Sequence, residues 1–266
     1  MVAQSPSRCN TYRKKILEMS RSVSALHVAP AFSCIEMVDV IYNEWMVKKP
    51  VGAADRDIFI MSKGHGCLIQ YVILNEQGIL SDNDIKTYCK PEGRLGAHPD
   101  YGTPGIEAST GSLGHGLGIA VGRAMGRKLL NRGGTVFCVI SDGELQEGST
   151  WEAIIMAANK NLNNLTVLVD NNDFSGLERM SEAHPAFYPL LEKFTAFGWD
   201  AHGVDGHDAN AIHQAIAAPH KGPKIIVCKT VKGKGVSYME HEPIWHYRSP
   251  NEKEYAIAMQ ELGCHA

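Results

Sequence analysis

Two polar residues stand at the ends of two apolar runs. TVFCVI leads through Ser141 into Asp142, and LTVLVD leads through Asn171 into Asn172. Both runs are short, continuous and rich in branched residues, the pattern of strands buried on both faces. The helical stretch GSTWEAIIMAANK lies between them, so a right-handed strand-helix-strand crossover makes Asp142 and Asn172 neighbours at one sheet edge. A carboxylate and an amide oxygen, with a backbone carbonyl nearby, suit a hard cation such as magnesium or calcium that keeps positions for phosphate oxygens and water. Zinc is not suited by this set. Gly143 opens the helix, where backbone N–H groups and the helix dipole favour an anion, and a diphosphate fits. SDG and DNN taken singly are also ordinary turn sequences. Their spacing across one helix and one strand is what makes the pair informative.

Histidine is the second theme. His65 sits between glycines in SKGHG, His98 lies in GAHPD, His246 ends PIWH and His27 precedes Pro30. Neutral imidazoles both donate and accept protons near pH 7, so several in one cleft suit acid–base work on hydroxyls. With twelve histidines in the chain, each taken alone reads equally as a satisfied core or surface residue. Glu147 and Glu152 stand five apart and do not share one helix face cleanly. Trp151, Ile154 and Ile155 read as packing residues.

These residues need a scaffold. The apolar spacing from about Asn10 to Trp45 predicts two helices broken around Pro30. DIFIMSKGHG predicts a buried strand delivering His65, followed by a helix through Leu74. Further on come a helix at PLLEKFTAF, a strand at WDAHGV, a helix at ANAIHQAIAA and a strand at KIIVCKT. That alternation predicts an α/β fold, a parallel sheet with helices on both faces, whose ligands collect at the strands' carboxyl ends. The simplest division is a flexible N-terminus over 1–9, one domain over 10–231 and a C-terminal arm over 232–266.

Composition narrows the partners. The chain has 266 residues, 44% of them hydrophobic, and a formal net charge of -3 with scattered Lys and Arg. Such a chain fills a core and offers no basic face to nucleic acid. Charges interrupt the first apolar stretch, which argues against a secretory signal or membrane span and for a cytoplasmic protein. The seven cysteines form no C-x-x-C and read as buried, reduced thiols. Cys67 adjoins the SKGHG turn and reads as a small core hydrophobe.

SDGELQEGSTWEA followed by NLTVLVDNN resembles the thiamine-diphosphate motif in its transketolase version. SKGHG, GAHPD, EASTGSLGHGLGIAVG, AFGWD and KGKGVSYMEHEPIWH resemble transketolase segments in the same order, so the likeness spans essentially the whole chain. It implies the thiamine-diphosphate-binding fold, with thiamine diphosphate and Mg²⁺, or Ca²⁺ or Mn²⁺, as cofactors. It also implies a metal held by Asp142, the side chain of Asn172 and the carbonyl of Phe174. His65, Gly111, Ser112, Leu113, Gly143, Glu144 and His246, together with those acidic and amide ligands, are implied to contact the cofactor. His27, His65, His98 and His246 are implied to handle substrate, and Glu147 to serve a relay or subunit interface. The implied reaction moves a two-carbon ketol unit from a ketose phosphate to an aldose. Transketolases continue into a pyrimidine-binding domain, so a separate partner chain and an α₂β₂ assembly are implied.

Some positions depart from the family pattern. Ser141 replaces a glycine, Leu26 stands where a glycine precedes His27, and Tyr247 and Arg248 follow His246 where glycine is common. Arg248 reads as a solvated arm residue or an added phosphate contact. DFSGLERMSEAHPAF departs furthest. Alternative readings are a 2-oxo-acid dehydrogenase alpha-like or deoxyxylulose phosphate synthase-like subunit, or a non-catalytic cofactor-binding subunit.

Overall fold

The computed structural model describes residues 2–23, 27–46, 49–50 and 53–264. Seven strands occur among them: β1 Ile58–Met61, β2 Val136–Ser141, β3 Leu165–Asn171, β4 Phe174–Ser175, β5 Glu178–Arg179, β6 Asp200–Asp205 and β7 Lys224–Lys229. Five form one parallel sheet in the order β1-β2-β3-β7-β6, and β4 with β5 forms a small antiparallel hairpin. The helices are α1 Ser5–Ser20, α2 Val28–Ser33, α3 Ile35–Val40, α4 Cys67–Glu76, α5 Asp82–Lys86, α6 Gly116–Leu129, α7 Gly148–Asn159, α8 Met180–Ala183, α9 Leu190–Ala196, α10 Ala209–Ala217 and α11 Glu252–Cys264.

Alternation along the strands makes two cores. Phe137, Val139, Leu168 and Ile226 face α1 to α4, α10 and α11, whereas Cys138, Ile140, Val167 and Ile225 face α6, α7 and α9. Both faces are therefore dry, which is why these strands read as continuous apolar runs. The crossover β2-α7-β3 advances one way across the sheet and β6-α10-β7 returns the other way, with the helices on opposite faces. The reversal opens a crevice between β3 and β7, where ligands of such sheets bind. Ser141 pairs in register with Asp170, and Asn171 with Lys229, so the three carboxyl ends lie level around it.

The N-terminal expectation is corrected. Residues 5–9 open α1 and are packed: Ser5 and Cys9 are buried, Ser5 bonds Asp39, and Arg8 pairs with Asp39 at 2.8 Å and Glu44 at 3.0 Å. These polar partners lie on or just after α3, and no local pattern reveals them. The helix break is also displaced. Pro30 sits in the first turn of α2, where its missing N–H has no helical partner to lose, and helix is instead left after Ser20 and again at Cys34. The leading turn after β2 is another difference: Gly143–Gln146 forms a tight 3₁₀ turn and α7 begins only at Gly148. The 232–266 segment shares the main core through Val236, Met239, Trp245, Ala258 and Leu262. Cys9, Cys34, Cys67, Cys138 and Cys228 are buried free thiols; Cys89 is exposed, contrary to expectation, in a left-handed turn at φ 54°. Leu26 and the Cys264 side chain lie outside the described residues.

Candidate active site

A cavity of about 250 Å³ opens at the carboxyl ends of β1, β2, β3 and β7. Four elements deliver a histidine to it. His27 precedes α2, His65 sits in the turn after β1, His98 in the loop before Pro99, and His246 in the turn Pro243–His246. His27 is the hub, with ring centroids 5.9 Å from His65, 5.4 Å from His98 and 5.4 Å from His246; His65 and His246 are 5.5 Å apart. Tyr71 holds the His98 loop by donating to the carbonyls of Gly96 and His98 at 3.2 and 2.9 Å. Gly111, at φ +129°, lies against the His98 ring, where a Cβ would come within 2.8 Å. Only glycine fits that left-handed position.

The floor is built by Asp142, Gly143, Asn172 and Phe174. Asp142 is wholly buried, accepting from the N–H groups of Gly143 at 2.8 Å and Asp173 at 2.6 Å. Burial, with the nearby Asp170 charge, pushes its carboxyl up to about 7. The Asn172 amide donates to Ser33 at 3.0 Å and Asp170 at 3.2 Å, and its oxygen accepts from Phe174 N–H at 3.1 Å. A Cβ on Gly143 would lie 3.2 Å from the Phe174 carbonyl and 3.1 Å from Ser175 Cα, so side-chain bulk there would press on the floor. A buried carboxylate, an amide oxygen and a carbonyl form a hard-oxygen set, and a divalent cation would offset the buried charge. The residues present therefore fit such an ion. The Gly143 N–H is turned toward Asp142, and its 3₁₀ turn is only four residues long, so the expected helix-dipole attraction for an anion is not the main device.

Lys232 supplies positive charge instead. It is 2% exposed, lines the cavity, and donates to the Gly176 carbonyl at 2.9 Å and to His246 Nδ1 at 2.8 Å. Burial, reinforced by Lys63, lowers its ammonium to about 7. With Lys232 charged, His246 Nδ1 accepts from it and the imidazole proton lies on Nε2. Behind the floor, the wholly buried Lys63 pairs with Asp170 and donates to Pro30 O at 3.0 Å, while Ser33 and Thr230 also bond Asp170. Sequence reasoning missed Lys63, Asp170 and Lys232 as functional residues. The signal was present: Lys63 adjoins GHG, Asp170 precedes Asn172 and Lys232 opens KGKG.

Not every expected residue reaches the cavity. Leu113 and Gly111 line it, but Ser112 is exposed and does not. Glu144 turns away from it, accepting from Ser62 and from Gly114 N–H at 2.9 Å, with Oε2 unpartnered among the described residues. The chain reverses tightly after Gly143, which carries Glu144 under the 113–116 loop. Glu147 is exposed at the start of α7 and is not among the residues that line the cavity. Arg248 pairs with Glu254 at 2.6 Å and lies 4.4 Å from the Trp245 ring centroid, which commits it elsewhere. The divergent 173–187 loop contributes Phe174, Ser175 and Gly176 to the lining, and Tyr247 stands 5.4 Å from the His27 ring.

The histidines are held neutral. Burial, aided by His98 and Lys63, lowers His27 to about 4; burial with Lys232 lowers His246 to about 3; burial takes His65 well down and lowers His98. An unfolded histidine titrates near 6.5. A depressed folded pKa contributes stability that is present above about 6.5 and is lost as pH falls toward the folded value. Asp142, being raised, works in the opposite direction between its unfolded value and about 7. Three strongly depressed imidazoles outweigh it. Urea unfolding of the chain should therefore show stability falling between about pH 6.5 and 4, at about 1.4 kcal/mol per pH unit for each uncompensated histidine. A flat or rising profile there would contradict neutral burial of the cluster.

The thiamine diphosphate binding domain of transketolase matches residues 7–266. An apulose-4-phosphate transketolase subunit of Actinobacillus succinogenes is 33% identical over 261 residues, 96% of this chain and 94% of that protein. The 6-deoxy-6-sulfo-D-fructose transketolase subunit SqwG of a Clostridium species is also 33% identical, over 96% of this chain and 94% of its own length. Among solved structures, the transketolase of Campylobacter jejuni superposes with a TM-score of 0.92 at 26% identity. That match covers 97% of this chain and 42% of the other, so the chain spans about two fifths of the solved enzyme.

Proposed function

Because the chain belongs to the transketolase family and comprises its thiamine-diphosphate-binding domain, we propose that it is the cofactor-anchoring subunit of a two-chain transketolase. With a separate pyrimidine-domain chain, in an α₂β₂ assembly, it moves a two-carbon ketol unit from a ketose phosphate or related ketose to an aldose. The observation that carries this reading is the convergence of four imidazoles, one buried and three half-buried, over the Asp142, Asn172 and Phe174 floor. Support for a second chain comes from relatives named as subunits, which match almost end to end, whereas the solved transketolase is more than twice as long.

Asp142, the Asn172 side-chain oxygen and the Phe174 carbonyl would hold magnesium, and Lys232 would neutralise the diphosphate beside it. When bound, thiamine diphosphate supplies a nucleophilic carbon for the donor carbonyl and an electron sink for breaking the adjacent carbon–carbon bond. This chain's residues manage protons and position. While Lys232 is charged and occupies Nδ1, His246 presents Nε2–H as a donor. His27, His65 and His98, neutral at physiological pH, are available to orient sugar hydroxyls and to take up or return a hydroxyl proton. Gly111 and Leu113 shape the wall next to His98.

Calorimetric titration of thiamine diphosphate and magnesium into the chain, alone and mixed with the product of the neighbouring reading frame, tests the proposal. Tight binding and ketol transfer are expected only in the mixture. Turnover by the chain alone would overturn the two-chain reading, and pyruvate decarboxylation by the mixture would overturn transketolase chemistry.

A further inference from the structure

The strap that carries Lys232 is tied down from outside the cavity, and the ties meet at one carboxylate. Glu36, on α3, is 7% exposed. Its Oε1 accepts from Arg13 at 2.6 Å, and Arg13 Nε donates at 2.9 Å to the carbonyl of Lys234. Its other oxygen, Oε2, lies 3.0 Å from Nδ1 of His207, in the turn between β6 and α10. On the far side of that ring, Nε2 accepts from the backbone N–H of Val231 at 2.9 Å. An imidazole whose Nε2 accepts while Nδ1 faces a carboxylate carries its proton on Nδ1. Glu36 therefore sets the tautomer, and the tautomer makes His207 an acceptor for the strap. The two ties grip Val231 and Lys234, one on each side of Lys232 and Gly233. Gly233 completes the clamp by donating to Ala29 O at 3.1 Å, at φ +81° where a Cβ would strike Met239 O at 2.5 Å.

From this we infer that His207, held in its Nδ1–H tautomer by Glu36, is a positioning residue that fixes the Val231 backbone and thereby aims Lys232 at His246 and at the cofactor's diphosphate. His207 does not line the cavity and touches none of the groups that would react. Its influence passes through backbone geometry, as outer-sphere partners orient ligands in metal sites. The inference rests on the cofactor reading above for what Lys232 meets, but the clamp itself is independent of any ligand.

The test uses the full chain with its partner, the parent and three variants. In His207→Leu, Val231 has no acceptor. In His207→Gln, the amide oxygen accepts from Val231 while the amide nitrogen donates to Glu36. In Glu36→Gln, if the amide oxygen stays with Arg13, the amide nitrogen donates to His207 and drives the proton to Nε2, setting donor against donor at Val231. Expected results are an Nδ1–H signal for His207 by ¹⁵N NMR in the parent, and Val231 amide exchange accelerated at least tenfold in His207→Leu and Glu36→Gln. The Kd for magnesium thiamine diphosphate should rise about tenfold in those two, the scale of outer-sphere losses, with kcat at saturating cofactor within about twofold. His207→Gln should stay near the parent in every measure. Parent-like cofactor affinity in both His207→Leu and Glu36→Gln would overturn the inference, as would a His207→Gln defect equal to that of His207→Leu. Should His207→Leu fail to fold, the contrast between Glu36→Gln and His207→Gln decides. If the parent assembly binds no cofactor, the functional reading falls, while the ¹⁵N tautomer and Val231 exchange still decide the clamp.

Discussion

Asp142→Ala is expected to weaken magnesium-dependent binding of thiamine diphosphate by about two to three and a half orders of magnitude, with ketol transfer falling alongside it. Removing one member of a buried charge pair costs about 3–5 kcal/mol, and each 1.4 kcal/mol is about tenfold in affinity. Asp142 is such a member in waiting. It is wholly buried, and its bonds go to two backbone N–H groups rather than to a basic side chain. The same substitution should not harm the cofactor-free chain at pH 8. A carboxyl raised to about 7 in the fold is an unfavourable buried charge above that pH, an effect that fades as pH falls toward the unfolded value. The variant should therefore separate two properties: unfolding stability at pH 8 equal to or above the parent's, and calorimetric binding lost. Undiminished binding would remove Asp142 from the cation site. Marked destabilisation without cofactor would make its two backbone bonds its main role.

The second large effect is expected at His246. Substitution by alanine should lower kcat by about 10²- to 10³-fold, the usual cost of removing one preorganised hydrogen-bond donor. The substitution also strips Lys232 of one partner, so alanine alone mixes proton chemistry with orientation. His246→Gln separates them. Its amide oxygen accepts from Lys232 as Nδ1 does, and its amide nitrogen donates, but it cannot take up a proton. Because the amide keeps both the acceptor for Lys232 and a donor, steady-state kinetics should show His246→Gln retaining more than a tenth of the parent kcat while His246→Ala does not, with cofactor affinity within about threefold of the parent. A His246→Gln variant as slow as His246→Ala would instead show that His246 exchanges a proton and does not act by hydrogen bonding and position alone.

Relatives named for apulose 4-phosphate and for 6-deoxy-6-sulfo-D-fructose frame the question of substrate. On this chain, Arg248 is engaged by Glu254 and Trp245, and Tyr247, rather than a second cation, stands beside His27 and His246. The sugar's anionic group would then be gripped chiefly by the partner chain, consistent with the proposed division of labour.

What the sequence determined by itself is the part of the protein governed by local pattern. Strands buried on both faces must be continuously apolar, so β2 and β3 were legible, and with them Asp142 and Asn172 at their ends. Glycines that neighbouring atoms press against, such as Gly64 and Gly111, mark the turns that carry His65 and pack against His98. Contacts between distant segments were decided only by the tertiary structure. Nothing local shows that Arg8 meets Asp39, so a helix start read as a loose leader. The 3₁₀ turn that hides Glu144 and leaves Glu147 at the surface depends on Ser62 and Gly114, 82 and 30 residues from Glu144. Likewise Lys232 becomes a cavity cation only because His246 and Gly176 receive it and Glu36, through His207 and Arg13, holds its strap. Periodicity reports which face of an element is dry; it carries no information about which buried polar groups, tens or hundreds of residues apart, must find one another once that face is covered.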